Sequence, residues 1–544
     1  MVLPTITKKQ KIIFLLSFLF CFFIQIIPVV RSGLNYDFGI GFWGPNGHDG
    51  VWHLSLINNL NNPFKIDMPI FSGETLKNYH PFFNILIAFL AKITSINSSI
   101  WLFQLFPIIT TTLFLYFSFR LGQKITKKFL GGIILMFFNS IGNSFGWVVS
   151  FLRNRQFSGE SLFWAMQSPS NQLNPPFMLS ILLITIFLYL LTLKKPNKYA
   201  LFFTVIFLPI IKVYSAVPAF TIFFFYVLKH KQYRPTFVLS LLISAALFLI
   251  YNSSSGGLVQ WHPFWFIKSM VESEDRLYLP YFANMRYALE SADRIGPRLI
   301  FFYIFFTAVF IIGNYAWRLL ALFKVKNYPP IWIATFICFL VPLLFIQKGT
   351  SWNTIQFMYY SLFLINIPLC LFLTKYPKIA FLIIFFNLFP LIGSLPSFLG
   401  KTPPTAISHQ EQQALNFLKS QPKGIVLTTP YDSYLKKSYP STPLPLYVYE
   451  TTSYLAAYGQ QPVFMADEMN LENSAYSWQE RRLASENFFA QKNEFQDRGF
   501  LVNNQIDYLY LPKAHLKNIN LDLEKMFLLN IYENPEIIIY QIQR

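Results

Sequence analysis

The sequence predicts an α-helical polytopic membrane protein of about 11 transmembrane helices with a small C-terminal α/β domain outside the membrane. Three observations carry this expectation. Of the 544 residues 54% are hydrophobic and 19% aromatic, with 62 Phe, while only 13% are charged, too few to solvate a soluble protein of this length. Apolar runs able to cross a bilayer recur through the first 400 residues. The charge also changes character at residue 401: 31 Lys/Arg stand against 10 Asp/Glu before it, and 13 against 15 from there on. The net charge of +19 thus belongs to the membrane part, in short basic clusters between apolar runs. Such clusters are topology signals, so no nucleic-acid partner is expected. Cys21, Cys338 and Cys370 all lie in apolar stretches, which argues against a disulfide framework or a thiol-ligated zinc site.

The first basic cluster, Lys8-Lys9-Gln10-Lys11, precedes an apolar run too long for a signal peptide and without a small-x-small cleavage site, so it reads as a retained span. Further runs lie near 100–119, 129–148, 177–193, 236–251, 298–320, 330–346, 357–374 and 379–397. The run 200–228 is broken by Pro209, Lys212 and Pro218 and reads as two short helices meeting near Lys212. With the N-terminus cytoplasmic, every inner segment carries Lys or Arg (Lys8/Lys9/Lys11, Arg120 to Lys128, Lys194/Lys195/Lys198, Lys229/Lys231/Arg234, Arg318/Lys324/Lys326, Lys375/Lys378) and none carries an acid. All ten acids before residue 401 then fall outside, as the positive-inside rule asks. That agreement makes 81–96 a juxtamembrane helix rather than a crossing.

The expected domains are therefore residues 1–400, a transmembrane domain with outer loops near 31–99, 149–176 and 252–297, and residues 401–544, an extracytoplasmic α/β domain. In the tail, Ser408 reads as the N-cap of a helix 408–420 with Glu411 completing a capping box. Strands are expected at 424–429, 506–511 and 537–542, and a longer polar helix near 472–494. The expected setting is the plasma membrane, from the absence of organelle signals together with the resemblance given below.

The candidate chemistry lies in Gly44-Pro-Asn-Gly-His-Asp-Gly-Val-Trp-His53, just past the first span. An acid at the lip of a membrane-buried cavity is costly and marks a functional site. Asp49 suits a general base, or a ligand to a divalent cation; the bland alternative is that it caps the helix. His53, four residues on, would share its helical face as a second catalytic group, or pack at an interface. His48, Tyr79 and His80 are candidate substrate-binding groups, the last two closing the loop from its far end or serving as interfacial belt residues. Arg153 and Arg155 suit a phosphate leaving group or lipid headgroups, with Glu160 the acid of the same loop. Lys212, between two apolar half-helices, must snorkel, pair or bind an anion. Lys348 and Gln356 open the tenth span with polar groups that line an entry for a lipid carrier or anchor the interface.

This constellation resembles the GT-C superfamily of membrane glycosyltransferases, among them mannosyltransferases and aminoarabinose transferases. The matching features are Asp49 with His53, the short helix 81–96 and the basic inner turn Arg120-Leu-Gly-Gln-Lys-Ile-Thr-Lys-Lys128, over about residues 10–400. The resemblance implies a polyprenyl-phosphate-linked sugar as donor, a glycan, lipid or protein as acceptor, Asp49 as catalytic base and cations holding the departing lipid phosphate. Many relatives carry Asp-Glu where this chain has Asp49-Gly50, and many place an Asp in the second outer loop, where the acid here is Glu160. The tail motif Tyr454-Leu-Ala-Ala-Tyr-Gly459 resembles outer domains of bacterial members. Two other classes compete with an enzyme: a transporter or flippase for a polyprenyl-linked substrate, and a non-catalytic membrane assembly protein.

Overall fold

The computed structural model describes residues 7–252, 259–293, 295–347, 351–490, 494–520 and 527–543. It is mostly helical and divides into two compact units. The first holds Met1–Pro28, Pro107–Ile250 and Ser254–Leu399; the second holds Val29–Phe106, Tyr251–Ser253 and Gly400–Arg544. The boundary expected at residue 400 separates the tail from everything before it, whereas the packing sets the first outer loop in one unit with the tail.

In the first unit the apolar runs become helices because a backbone surrounded by lipid must satisfy its hydrogen bonds within the segment. Among the described residues of the whole chain six helices are long and apolar enough to cross a membrane: Lys8–Val30, Ser98–Thr126, Lys231–Tyr251, Pro297–Lys324, Asn353–Leu373 and Pro377–Leu399. A seventh counts if Phe129–Ile141 and Gly146–Asn154, bent by 53° at their junction, form one span. Pro175–Leu191, Lys198–Ile211, Val213–Lys229 and Pro329–Leu344 are shorter apolar helices. Proline opens several of these segments, at a position whose N–H would be unbonded in any helix. At Lys212 the helix breaks as expected: the residue is extended (φ −163°, ψ 104°) between Leu208–Ile211 and Val213–Lys229.

The expected continuous span 129–148 is instead broken at Gly142–Phe145, where polar bonds replace the helical ladder. Asn143 N–H donates to Asn387 (3.0 Å), Ser144 Oγ donates to the Glu160 carbonyl (2.8 Å), and Gly142 carbonyl accepts from Ser168 N–H (3.1 Å). The break is part of a buried polar network. Gln25 Nε2 donates to the carbonyls of Ser140 (2.9 Å) and Ser168 (2.7 Å), and Asn366 Nδ2 donates to Asn139 (3.0 Å). Its centre is Arg318, which the charge pattern had assigned to an inner surface segment. The side chain is 1% exposed and donates to Asn366 Oδ1, Gln167 Oε1, the Asn143 carbonyl and Ser168 Oγ over 2.8–3.3 Å. In the segment 252–297 Arg286, also buried, pairs with Glu272 and Glu290.

In the second unit two four-stranded sheets form. One joins Asn35–Tyr36, Gly39–Phe42, Thr405–Ile407 and Leu444–Pro445 in that order, so the first loop and the tail share a sheet. Gly39 pairs with Tyr36 at φ +112°, and a Cβ there would fall 2.0 Å from the Ile407 carbonyl oxygen, so only glycine fits. The other sheet runs Ile425–Thr428, Ile506–Pro512, Ile537–Ile542 and Leu528–Glu533, the first pair parallel and the rest antiparallel. Three of these strands match the expected ones; Leu528–Glu533 was not anticipated. The expected polar helix 472–494 is interrupted, with Glu468–Asn473 ending at Ser474 and a separate helix over Gln479–Ala490. A helix forms over Phe82–Thr94, within the expected 81–96, burying Phe83, Asn84 and Ile87 while Phe89 and Ile93 stay exposed.

Helix His409–Ser420 starts as the sequence indicates, with Ser408 Oγ accepting the Glu411 N–H at 3.0 Å. The other half of the capping box is absent. The Glu411 carboxyl turns into the core, fully buried beside the Tyr454 and Tyr510 hydroxyls, and neither oxygen makes a hydrogen bond of ordinary geometry among the described residues. Burial, reinforced by Glu536, pushes its pKa up to about 8. A raised native pKa means that the folded state holds a proton that the unfolded chain has released, so this stability is complete below the unfolded value of about 4.5 and is lost as pH rises through about 8. Glu411→Gln is therefore expected to flatten the decline in melting temperature between pH 5 and 8, and to raise it at pH 8 relative to the parent. Melting curves across that pH range check this; parallel curves would show that Glu411 is ionised in the fold.

Candidate active site

Asp49 begins the helix Asp49–Asn58, directly after the short turn Gly44–Gly47. The turn is fixed from behind. Arg31 lies over the Trp43 ring at 4.1 Å, and both Arg31 and the Trp43 indole donate to the Gly400 carbonyl, at 2.9 and 3.1 Å. A carboxylate in the first helical turn also sits favourably at the positive end of the helix dipole. Its side chain is 56% exposed while its Oδ1 lies 2.9 Å from His48 Nδ1.

His48 is the hinge of the site. Its ring is buried, with Nε2 3.2 Å from Oδ1 of Asp467, whose side chain is wholly buried. Asp467 belongs to the tail and arrives there because residues 463–466 exchange backbone hydrogen bonds with the first loop: Val463 N–H with Pro69 carbonyl (2.8 Å), Ser72 N–H with Val463 carbonyl (3.0 Å) and Ala466 N–H with Ile70 carbonyl (3.0 Å). It is held at φ +55°, a conformation that Asp tolerates better than most residues. Its second oxygen accepts from Asn470 Nδ2 at 2.9 Å. Burial alone would lower the His48 pKa, but the charges and hydrogen bonds of Asp467 and Asp49 outweigh it and raise the pKa well above 6.5. At neutral pH His48 is then an imidazolium that donates to both carboxylates, a fixed row from Asp467 through His48 to Asp49.

The structure sends Asp49 and His53 to different surroundings although they stand four apart. His53 is buried, its Nδ1 2.8 Å from Asn84 Oδ1 and its ring edge-on to Phe83. The far end of the loop does return: Trp52 Nε1 donates to the Tyr79 hydroxyl at 3.1 Å, and Tyr79 stacks on His80 at 4.9 Å. Burial, aided by the Asp49 charge, raises the Tyr79 pKa, so this hydroxyl stays protonated. Gly50 has a local cause: a Cβ there would lie 2.6 Å from the Phe103 ring, which leaves no room for the second acid many GT-C enzymes carry.

The remaining candidates lie in the first unit. Arg153 and Arg155 are exposed, the former donating to the Tyr278 carbonyl at 3.4 Å and the latter 5.4 Å from the Phe151 ring. Glu160 is committed internally, its oxygens accepting from Gln167 N–H (2.8 Å) and Ser170 Oγ (2.9 Å), and burial raises its pKa. Lys212 is buried with its ammonium 5.8 Å from the Tyr214 ring centre. Gln356 accepts from Asn174 at 3.4 Å and donates to Asn353 at 3.2 Å. Lys348 lies outside the described residues. No group of three or more His, Cys, Asp or Glu side chains able to hold a metal ion occurs among the described residues.

Asp467 escaped the sequence reading because nothing local links it to a residue more than 400 positions earlier. With Asp467→Asn the charge that sustains the imidazolium is halved, so the alkaline limb of any His48-dependent activity is expected to move to lower pH. Turnover at pH 7 should fall about tenfold, a smaller loss than removing the base itself. An unchanged pH profile would show that Asp467 serves folding only.

The sequence matches no protein-family model, and a search of curated proteins finds no significant match. Solved structures do resemble it. Arabinofuranosyltransferase AftD from Mycobacteria aligns with 98% of this chain at 10% identity and TM-score 0.54; the chain spans 40% of AftD's length. Archaeal oligosaccharyltransferase AglB from Archaeoglobus fulgidus, in complex with an inhibitory peptide and a dolichol-phosphate, aligns with 93% of this chain and 70% of its own at 12% identity and TM-score 0.48. ArnT from Cupriavidus metallidurans, bound to undecaprenyl phosphate, covers 98% of each chain at 10% identity and TM-score 0.37. The likeness to the mycobacterial arabinofuranosyltransferase is one of fold.

Proposed function

We propose that this protein is a membrane glycosyltransferase that moves a sugar from a polyprenyl-phosphate carrier to an acceptor on the outer face of the plasma membrane. The observation that carries the reading is the exposed Asp49 carboxylate backed by buried His48 and Asp467, in a chain whose fold resembles an arabinofuranosyltransferase. An oriented and solvent-open carboxylate suits a general base. In the proposed step an acceptor hydroxyl or amine gives its proton to Asp49 as its oxygen or nitrogen bonds to the anomeric carbon. The bond from that carbon to the phosphate oxygen breaks, the electron pair leaves with polyprenyl phosphate, and a single displacement inverts the sugar centre. Lys212, or Arg153 with Arg155, is the proposed cation for the leaving phosphate. No step is routed through a divalent cation, since the donor groups for one are not gathered among the described residues.

The proposed topology has 11 crossings: the six long helices, the bent pair and the four shorter apolar helices of the first unit. It puts the N-terminus in the cytoplasm, and Asp49 and the tail outside, in keeping with the acid-free inner segments. Phe82–Thr94 then lies along the outer face as a juxtamembrane helix.

The reading is tested with purified protein in lipid, offered a panel of polyprenyl-phosphate sugars and a membrane extract as acceptor source. Release of free polyprenyl phosphate that depends on acceptor is the expected result. The helix break at Lys212 favours a second reading, transport of a polyprenyl-linked substrate, since broken helices serve transporters as well. Movement of an intact lipid-linked sugar across vesicles, with no cleavage of any donor, would select it.

A further inference from the structure

Away from Asp49 the second unit contains a cavity of about 340 Å³ whose wall is drawn from the first loop and the tail, within the ~300–1,000 Å³ range of small-molecule sites. Leu54 and Asn58 line it from the helix that begins at Asp49. Asn58 lies nine residues on, about 13 Å along the axis, and neither Asp49 nor His48 lines the cavity. The lining is dominated by side chains that donate and accept at once: Asn35, Asn97, Gln412, Asn416 and Gln460, with the Tyr458 ring. No carboxylate lines it, and its cation, Lys419, is at an exposed position.

Part of this wall is pre-set. Asn58 donates to the Ala457 carbonyl (2.7 Å) and accepts from Ser98 Oγ (2.5 Å), and Asn97 accepts the Ser99 N–H (2.8 Å). The rest is left for a ligand. The Tyr458 ring lines the cavity, and its hydroxyl is shielded from solvent beside Ser99. The amides of Asn35, Gln412, Asn416 and Gln460 spend no side-chain hydrogen bond on the protein among the described residues. Side-chain amides offer two donors and an acceptor each, which matches the mixed donor and acceptor character of adjacent sugar hydroxyls. Such a wall offers little to an acyl chain, which needs apolar contact, or to a multiply charged anion, which needs several cations.

We infer that this cavity is a saccharide-binding site, built to hold a unit of a neutral glycan at a distance from Asp49. It deepens the glycosyl-transfer reading and rests on that reading only in taking the bound glycan to be the acceptor.

The test is binding of neutral hexasaccharides (mannohexaose, maltohexaose and arabinohexaose) to the full-length protein in lipid nanodiscs, followed by saturation-transfer NMR and calorimetry. Asn35→Leu and Asn416→Leu change two exposed positions on different segments, and equal melting temperatures verify that both fold. One of the hexasaccharides is expected to bind, with its Kd raised about tenfold in either variant, as loss of one or two hydrogen bonds dictates, and unchanged in Asp49→Asn. The proposal is overturned if none of the three binds, if both variants bind as the parent does, or if inorganic phosphate displaces the sugar, which would make Lys419 an anion site. Turnover that depends on Asp49 without saccharide binding would retain the enzyme and discard this site. Saccharide binding without cleavage of any donor would do the reverse.

Discussion

Asp49→Asn is expected to lower turnover of a lipid-linked sugar about 100- to 10,000-fold, the span over which a positioned base contributes, with little change in KM or melting temperature. The substitution keeps the shape of the side chain and an oxygen that can face His48, so the turn, the helix start and the packing of Trp52 on Tyr79 should persist. What it removes is the negative charge that would take the acceptor's proton. The exposure of this side chain, set against the burial of His48 and Asp467, is why the loss should fall on kcat. The buried pair has the larger part in folding, and the open carboxylate has the part that meets substrate. His48→Gln offers the contrast. It keeps a hydrogen-bonding side chain but not the imidazolium, and it should cost stability as well as turnover, because the buried Asp467 would then lack its cation. Release of polyprenyl phosphate measured beside thermal unfolding for the parent and both variants separates these effects. Turnover of Asp49→Asn equal to the parent would place the base elsewhere.

Much of the membrane part was legible because its signals are local. The proline and lysine punctuation of 200–228 is read within a few residues of where it acts, and the break at Lys212 appears where those residues put it. Strands 506–511 and 537–542 were visible through their β-branched and aromatic runs, while Leu528–Glu533 is short of such residues apart from Ile531 and Tyr532 and pairs only because its neighbour is already in place. The unforeseen features depend on contacts distant in sequence. Asp467 meets His48 across 419 positions. Glu411 looked like half of a capping box, yet its side chain is buried against Tyr454 and Tyr510. Arg318 did carry a signal: apolar residues flank it on both sides, Ala316-Trp317 and Leu319-Leu320, the pattern of an arginine within a span rather than beyond its end.

That arginine leads to the second large expected effect. Arg318→Met should destabilise the protein by about 3–5 kcal/mol, the cost of breaking a buried charged network from one side, seen as a large fall in melting temperature in lipid or detergent. Methionine replaces much of the volume, so cavity formation is the lesser part. The greater part is the set of groups left behind, Asn366 Oδ1, Gln167 Oε1, the Asn143 carbonyl and Ser168 Oγ, all drawn to one guanidinium. A lysine offers three donors from a single point and cannot span four partners, so Arg318→Lys should recover less than half of the loss. The attraction between Arg318 and Glu160 is a competing explanation, and Glu160→Gln decides between them. If the charge pair dominates, Glu160→Gln should cost as much as Arg318→Met. If the fork of hydrogen bonds dominates, it should cost far less, since an amide oxygen can still accept from Gln167 N–H or Ser170 Oγ. The geometry favours the fork. Gly142 supplies an independent check, because a Cβ there would fall 2.5 Å from a guanidinium nitrogen of Arg318. Gly142→Ala should therefore displace the same group and reproduce part of the Arg318→Met loss, and the two substitutions combined should cost less than the sum of their separate effects.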